Sequence, residues 1–167
     1  MKKTDYRALK VANVLINIAI AAVIVSTVLA IALSLTQSHL DLTNKLGNGF
    51  IFEVNIPEKL LHSPAFIGLT VVVSALWVAL LVFVKMFFQN IINNRIFTQD
   101  NVKLAHYVEY DFIALAFIDT WFQSLCSGSG VLNLVNIAYL VAAFVVWVFS
   151  MILKEANDIA EENEFTI

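Results

Sequence analysis

Long runs of uncharged, mostly apolar residues divide the chain. Three of them, residues 11–35, 65–84 and 131–153, contain no charged side chain. A bilayer core about 30 Å thick requires about 20 apolar residues in a helix that rises about 1.5 Å per residue. We therefore predict membrane-spanning helices over these three runs. The second run is preceded by Pro64, a residue suited to the first turn of a helix.

A further span is predicted over residues 104–126, but it is less apolar. Thr98 is a typical N-cap residue, and the Ser-Gly segment 127–130 ends the helical pattern. Asp119 lies in the apolar part, where one Asp at about +3 kcal/mol nearly cancels seven apolar side chains at about −0.3 to −0.6 kcal/mol each. We therefore expect this helix to need neighbouring helices for insertion. Its first turns, up to Asp111, are expected to lie at the water interface.

The four segments predict an all-α fold, with a single four-span membrane domain over residues 1–167. The helices would form an integral membrane four-helix bundle with a larger outer loop at 36–64, a tight hairpin at 127–130 and a helical extension over the tail 154–167. Residues 50–57 have a strand-like composition, which suits either a ligand-sensing or partner-docking cap or a connector on the membrane surface.

A cleaved signal peptide is the alternative interpretation of the first run. Its 25 uncharged residues exceed the apolar region of a signal peptide, which has about 7–15 residues. A membrane-spanning helix is therefore the prediction.

The basic residues predict the orientation. Eight of the ten Lys and Arg residues precede the first span, lie between the second and third, or follow the fourth. With four spans, these positions share one side of the membrane, and the positive-inside rule makes that side cytoplasmic. We predict a multi-pass protein of the cell (cytoplasmic) membrane with both termini in the cytoplasm.

Composition agrees with a membrane protein and excludes other classes. Hydrophobic residues make up 60% of the chain and charged residues 14%, against about 45–50% and about 25% in soluble domains. The net charge of −3 provides no basic field for direct nucleic-acid binding. The single cysteine, Cys126, excludes an intramolecular disulfide, and three scattered histidines predict no metal site. No catalytic motif is present, so we expect a protein that is not an enzyme and uses no cofactor.

Four polar residues near the outer ends of the third and fourth spans form a candidate intramembrane cluster. They are Asp119, Gln123, Asn133 and Asn136. At 1.5 Å per residue, Asp119 and Asn136 lie about 8–10 Å below the outer surface and can face each other. Two interpretations stay open. The cluster is either the protonatable or cation-binding site of a small transporter or ligand-binding bundle, or a neutral Asp119 that donates to an Asn carbonyl and holds the helices together.

The cytoplasmic side carries a second candidate site. The tail 154–167 has five acids and one lysine, and acidic tails commonly contact basic partners. We predict a surface that docks a cytoplasmic protein partner. The residues assigned to it are Arg95, Thr98, Asn101, Glu161, Glu162 and Asn163. The alternative is a helix end that docks on Arg95 and Lys103 of its own chain. Beyond such a protein and the lipid bilayer no partner is indicated, although the sequence is compatible with a homo-oligomer.

Two segments resemble a known family. Residues 94–104 read NRIFTQDNVKL and residues 152–167 read ILKEANDIAEENEFTI. They resemble the patterns G-x-[IP]-F-T-x-E-N-x-x-x-L and E-N-x-[LF]-T-[IV] of small bacterial four-span proteins known as domain of unknown function 2975. Asn94 or Arg95 stands here at the usual Gly, and Asp100 at the usual Glu.

The resemblance implies the four-span topology over nearly the whole chain, a bacterial cytoplasmic membrane and no established catalytic residues. Members of the family often look to be encoded beside small helix-turn-helix regulators. The resemblance therefore implies a non-enzymatic interaction or regulatory protein whose docking surface holds such a soluble DNA-binding protein. An accessory subunit of a larger membrane complex is a third hypothesis.

Overall fold

The computed structural model consists of long α-helices. The backbone is described for residues 3–36, 63–127 and 134–164, and side chains for residues 6–35, 63–126 and 134–162. The helices are α1 (Lys3–Thr36), α2 (Pro64–Ile92), α3 (Gln99–Ser127) and α4 (Ile137–Glu164). No strand occurs in these ranges, so the predicted all-α fold is confirmed. The strand-like segment 50–57 of the predicted outer loop lies outside the described residues.

Three of these helices are long and apolar enough to cross a membrane. The qualifying segments are Tyr6–Leu35 in α1, Pro64–Ile92 in α2 and Ile137–Glu162 in α4. The chain is therefore a helical membrane protein. Helix α3 is as long as α2, with 29 residues, but it does not qualify. Its weaker hydropathy agrees with the expectation that it inserts with the help of its neighbours.

Helix α3 occupies the centre of the packing. The extensive helix contacts follow chain order, so α1 packs on α2, α2 on α3, and α3 on α4. Leu115 and Ala116 of α3 are fully buried, whereas the most apolar stretch of α1 contains no buried residue. The least apolar helix is thus covered on two sides, and the strongly apolar α1 presents most of its surface to the surroundings.

Aromatic pairs show that α2 and α3 run antiparallel. The ring centroids of Phe66 and Phe122 lie 5.7 Å apart, and those of Phe83 and Tyr107 lie 5.3 Å apart. The start of α2 therefore contacts the end of α3, and the later part of α2 contacts the first turns of α3. We call the end of the bundle that carries the α2–α3 connection the connector end, and the opposite end of α3 the hairpin end.

A side-chain cap marks the start of α2, and a backbone hydrogen bond marks the start of α3. The Ser63 hydroxyl oxygen accepts a hydrogen bond from the Phe66 amide at 3.1 Å, and Pro64 occupies the first turn. The Thr98 carbonyl accepts from the Asn101 amide at 3.0 Å, so α3 begins directly after Thr98. Both starts agree with the positions that the sequence indicates.

The α2–α3 connection contains one residue in the left-handed region. Asn94 has a φ of 59°, a conformation that Gly adopts freely and that Asn tolerates better than most residues. Of the two residues that could stand at the Gly of the resembled pattern, Asn94 and Arg95, Asn94 is the one with a positive φ.

Helix α4 begins six residues after the predicted start of the fourth span, at Ile137. Residues 134–136 are not helical, and the Asn136 amide donates to the Ala116 carbonyl at 3.0 Å. Ala116 lies 11 residues before the end of α3, which is about 16 Å along the helix axis. The fourth span therefore does not begin as a helix at the predicted position, whereas the predicted tight hairpin at 127–130 lies largely outside the described residues.

At the connector end, α4 continues past its apolar segment. It remains helical to Glu164, so the predicted helical extension is confirmed up to that residue. Leu153 is buried in one hydrophobic cluster with Val102 and Ala105, the first turns of α3. This contact fixes the extension of α4 against the start of α3.

Candidate functional site

Asp119 belongs to a polar cluster between α3 and α4. Its side chain is 6% exposed. One oxygen, Oδ2, accepts from Gln123 Nε2 at 2.7 Å and from the Tyr139 hydroxyl at 3.0 Å. Gln123 lies one turn away on α3, whereas Tyr139 lies in the first turn of α4. These three residues, which we call the Asp119 cluster, link two helices through one carboxyl oxygen.

Asn136 does not take the place predicted for it. Its Oδ1 accepts from the Ala138 amide at 3.0 Å, which makes Asn136 the N-cap of α4. The expectation that Asn136 faces Asp119 assumed a helix from residue 131, whereas α4 begins at Ile137. Asn133 lies outside the described residues. The partners of Asp119 in the described part of the chain are therefore Gln123 and Tyr139.

Tyr139 is the cluster member that the sequence analysis missed. Its ring stacks on Phe112 of α3 at 6.4 Å and meets Trp77 of α2 edge-on at 6.2 Å. Tyr139 therefore contacts both neighbouring helices as well as Asp119. The sequence did contain a signal for this role, since Tyr139 lies inside an apolar run. A hydroxyl group in a water-poor environment requires a hydrogen-bond partner.

A recess lies beside the Asp119 cluster. Its volume is about 270 Å³, and Gln123 lines it together with Thr120 and residues 135–138. The late start of α4 accounts for this position, since residues 135 and 136 lie along α3 before the helix begins. The recess offers polar groups of Gln123, Thr120 and Asn136 to a small molecule.

Asn101 holds the connection between α2 and α3. It is fully buried. Its Oδ1 accepts from Asn90 Nδ2 at 2.6 Å, and its Nδ2 donates to the carbonyls of Arg95 and Ile96, both at 2.7 Å. We call these contacts the Asn101 clamp. They join the end of α2, the connection and the first turn of α3, and they leave Asn101, one of the predicted docking residues, without exposed surface.

The other two residues assigned to the connection differ from each other in exposure. The Thr98 hydroxyl is buried and has no hydrogen-bond partner among the described residues. Arg95 is exposed, and so is the neighbouring Phe97, which the sequence analysis did not single out. The connection therefore presents a cationic side chain beside an aromatic one.

The end of α4 presents acids on its outer side. Glu155, Asp158, Glu161 and Glu162 are exposed, and Ile159 among them is 52% exposed. We call these five residues the acidic face. Asn157, one turn before Glu161, is buried and donates to Glu161 Oε1 at 2.9 Å. The side chain of Asn163 lies outside the described residues.

Asp111, in the turns of α3 that are expected at the water interface, is buried within the protein. Neither of its carboxyl oxygens has a hydrogen-bond partner within the described ranges. No three His, Cys, Asp or Glu side chains of the described residues come together in a way that could hold a metal ion.

Comparison with known proteins identifies a family. A family model described as "Protein of unknown function (DUF2975)" matches residues 53–167. The matched range contains α2, α3 and α4 with the Asn101 clamp, the Asp119 cluster and the acidic face. It omits α1, so it is shorter than the nearly complete coverage that the sequence resemblance implied. No curated protein and no solved structure matches the chain.

Replacing Asn101 tests the clamp. We expect Asn101→Ala to lower the free energy of unfolding by about 3 kcal/mol, because it leaves the Asn90 amide and two carbonyls without a partner, at about 1–3 kcal/mol per buried group. Unfolding of the purified protein by SDS in mixed micelles measures this. Gln99→Ala, an exposed change in the same helical turn, is the control and should cost less than about 0.5 kcal/mol. Equal effects of the two changes would contradict the clamp.

A double-mutant cycle tests the Asp119 cluster. Asp119→Leu and Tyr139→Phe each remove one partner of the interhelical hydrogen bond. We expect a coupling free energy of about 1 kcal/mol between them, typical of hydrogen bonds between membrane helices. The same unfolding measurement applies. Asp119→Leu combined with Tyr110→Phe, an exposed tyrosine of α3, should show no coupling. A coupling near zero for Tyr139 as well would exclude a stabilising link.

Proposed function

The chain belongs to the DUF2975 family, and from that premise we propose that it is a non-enzymatic bacterial membrane protein that binds a basic soluble protein on the acidic face of α4. The observation that carries the proposal is the rigid presentation of this face. Helix α4 continues to Glu164, and Leu153 and Asn157 are buried on its inner side. The acids are therefore held on a fixed helix and do not belong to a free tail.

The charge of the acidic face supports a basic partner. Residues 154–162 carry four acids and one lysine, all on exposed positions. Complementary charges speed association and select partners. Ile159 lies exposed among the acids and offers an apolar side chain that a bound protein would cover. A small helix-turn-helix regulator is the partner class that the family resemblance suggests, and its DNA-binding surface is basic and therefore complementary to the acidic face.

The orientation required by this proposal has support from charge. Lys103 is exposed near the start of α3, and Lys154 is exposed where the uncharged run of α4 ends. The contact of Leu153 with Val102 and Ala105 places both lysines at the connector end. Basic residues concentrate on the cytoplasmic side of membrane proteins. The connector end with its acidic face is therefore the cytoplasmic end in this proposal.

A ligand-binding or transport role centred on Asp119 is the second candidate. The observation that favours it is the recess of about 270 Å³ that is lined by Gln123, a member of the Asp119 cluster. A small polar ligand in that recess would reach Gln123 and, through it, Asp119. Against this role, the Oδ2 atom of Asp119 already accepts two hydrogen bonds from the protein.

Site-specific photocrosslinking in the native membrane tests the docking proposal. A photoreactive amino acid at position 159 of the full chain should capture one basic soluble protein, and the yield should fall as salt rises, because screening weakens the charge attraction. The same group at Val141, an exposed position in the apolar part of α4, should capture no soluble protein.

Charge reversal provides the matched control. Asp158→Lys with Glu162→Lys should abolish the crosslink from position 159. Asp100→Lys, which reverses one exposed acid at the same end but outside the acidic face, should leave it in place. The proposal is contradicted if the reversed face captures the same protein at an unchanged yield, or if position 159 captures membrane components alone.

A further inference from the structure

A second recess lies between α3 and α4, closer to the connector end. Its volume is about 260 Å³. It is lined by Glu109 and Ile113 of α3 and by Leu140, Ala143, Phe144 and Trp147 of α4. None of these residues belongs to the Asp119 cluster or to the acidic face.

The recess opens to the outer surface of the α3–α4 pair. Phe144 and Trp147 are both exposed, and their rings lie 5.7 Å apart in a tilted arrangement. Because these rings lie within the apolar segment of α4, an occupant reaches them from the bilayer. Such an occupant needs an apolar body, since aromatic and aliphatic groups form nearly all of the lining.

Glu109 is the single charged residue of this lining. Its side chain is 14% exposed, and Oε2 lies 3.0 Å from Nδ1 of His106. Within the described part of the chain, its Oε1 atom accepts no hydrogen bond. A carboxylate withdrawn from water is stabilised by a nearby cation. The faces of aromatic rings such as Phe144 and Trp147 also attract cations.

We propose that this recess, which we call the Glu109 recess, binds an amphiphilic organic cation, with its ammonium group at Glu109 and its apolar body against Phe144 and Trp147. Each part of the lining contributes one property of that ligand. The aromatic and aliphatic side chains select the apolar body, and Glu109 selects the charge. The proposal is independent of the docking function of the acidic face.

The depth of Glu109 favours a free amphiphilic cation over the ammonium group of a lipid. Glu109 lies six residues after the exposed Lys103, which is about 9 Å deeper along α3. The ammonium of an aminophospholipid lies in the headgroup layer and would have to descend to reach this level. A free hydrophobic ammonium ion inserts to this depth with its own apolar body.

Binding of octyltrimethylammonium to the full-length protein in uncharged maltoside micelles tests the proposal. Equilibrium dialysis should show saturable binding of one equivalent. We expect Glu109→Gln to weaken binding by about tenfold, because it removes the charge and retains the shape. Trp147→Leu should weaken it by about fivefold through loss of the aromatic face. Octyl sulfonate, with the same chain and the opposite charge, should not compete.

Two matched variants control for nonspecific effects. Asp100→Asn removes one exposed negative charge elsewhere on α3, and Trp121→Leu removes an exposed tryptophan near the hairpin end. Both should bind as the wild type does. The proposal is overturned if Glu109→Gln and wild type bind equally while both remain folded, or if octyl sulfonate competes as well as the cation. Trp147→Leu keeps the test valid if Glu109→Gln fails to fold.

Native mass spectrometry separates the two sources of the cation. The protein is equilibrated with phosphatidylethanolamine and phosphatidylglycerol in equal amounts. Preferential retention of phosphatidylethanolamine that disappears in Glu109→Gln supports the recess with a lipid headgroup as ligand. Binding of octyltrimethylammonium without lipid retention supports it with a free amphiphile. Absence of both overturns the proposal.

Discussion

Burial of α3 between α2 and α4 is the constraint on which the other features of this membrane protein depend. Helix α3 carries Glu109, Asp111 and Asp119, and it is the one described helix that is not apolar enough to cross a membrane by itself. Charged side chains in hydrocarbon are costly unless protein covers or pairs them. The packing of α2 and α4 on α3 provides that cover.

Polar contacts then fix α3 at each end. At the connector end, Asn101 joins the start of α3 to the end of α2 through Asn90 and two backbone carbonyls. Toward the hairpin end, Asp119 binds Tyr139 of α4. Apolar packing alone specifies depth poorly in a bilayer, because lipid chains are as apolar as the side chains they replace. Directional hydrogen bonds at both ends of α3 set its position relative to its neighbours.

The features of this fold that adjacent residues determine could be predicted from the sequence. The uncharged runs indicated the spans, and Pro64 and Thr98 marked the starts of α2 and α3, because the residues at a helix start favour that position locally. Of these two starts, only that of α2 has a side-chain cap among the described residues, at Ser63. The start of α4, the burial of Asp111 and the role of Tyr139 depend on how helices pack, which hydropathy does not encode. Asn136 illustrates the difference. It lies in an uncharged run that suits a helix, yet its side chain caps one.

The central claim, that neighbouring helices hold α3 in the membrane, is tested most directly by measuring membrane insertion of α3 by glycosylation mapping, both alone and in the full chain. The account predicts that the isolated segment, residues 99–127, inserts in at most about half of the molecules and that the full chain places it across the membrane in nearly all. Insertion of isolated α3 as complete as that of isolated α2 would contradict the account.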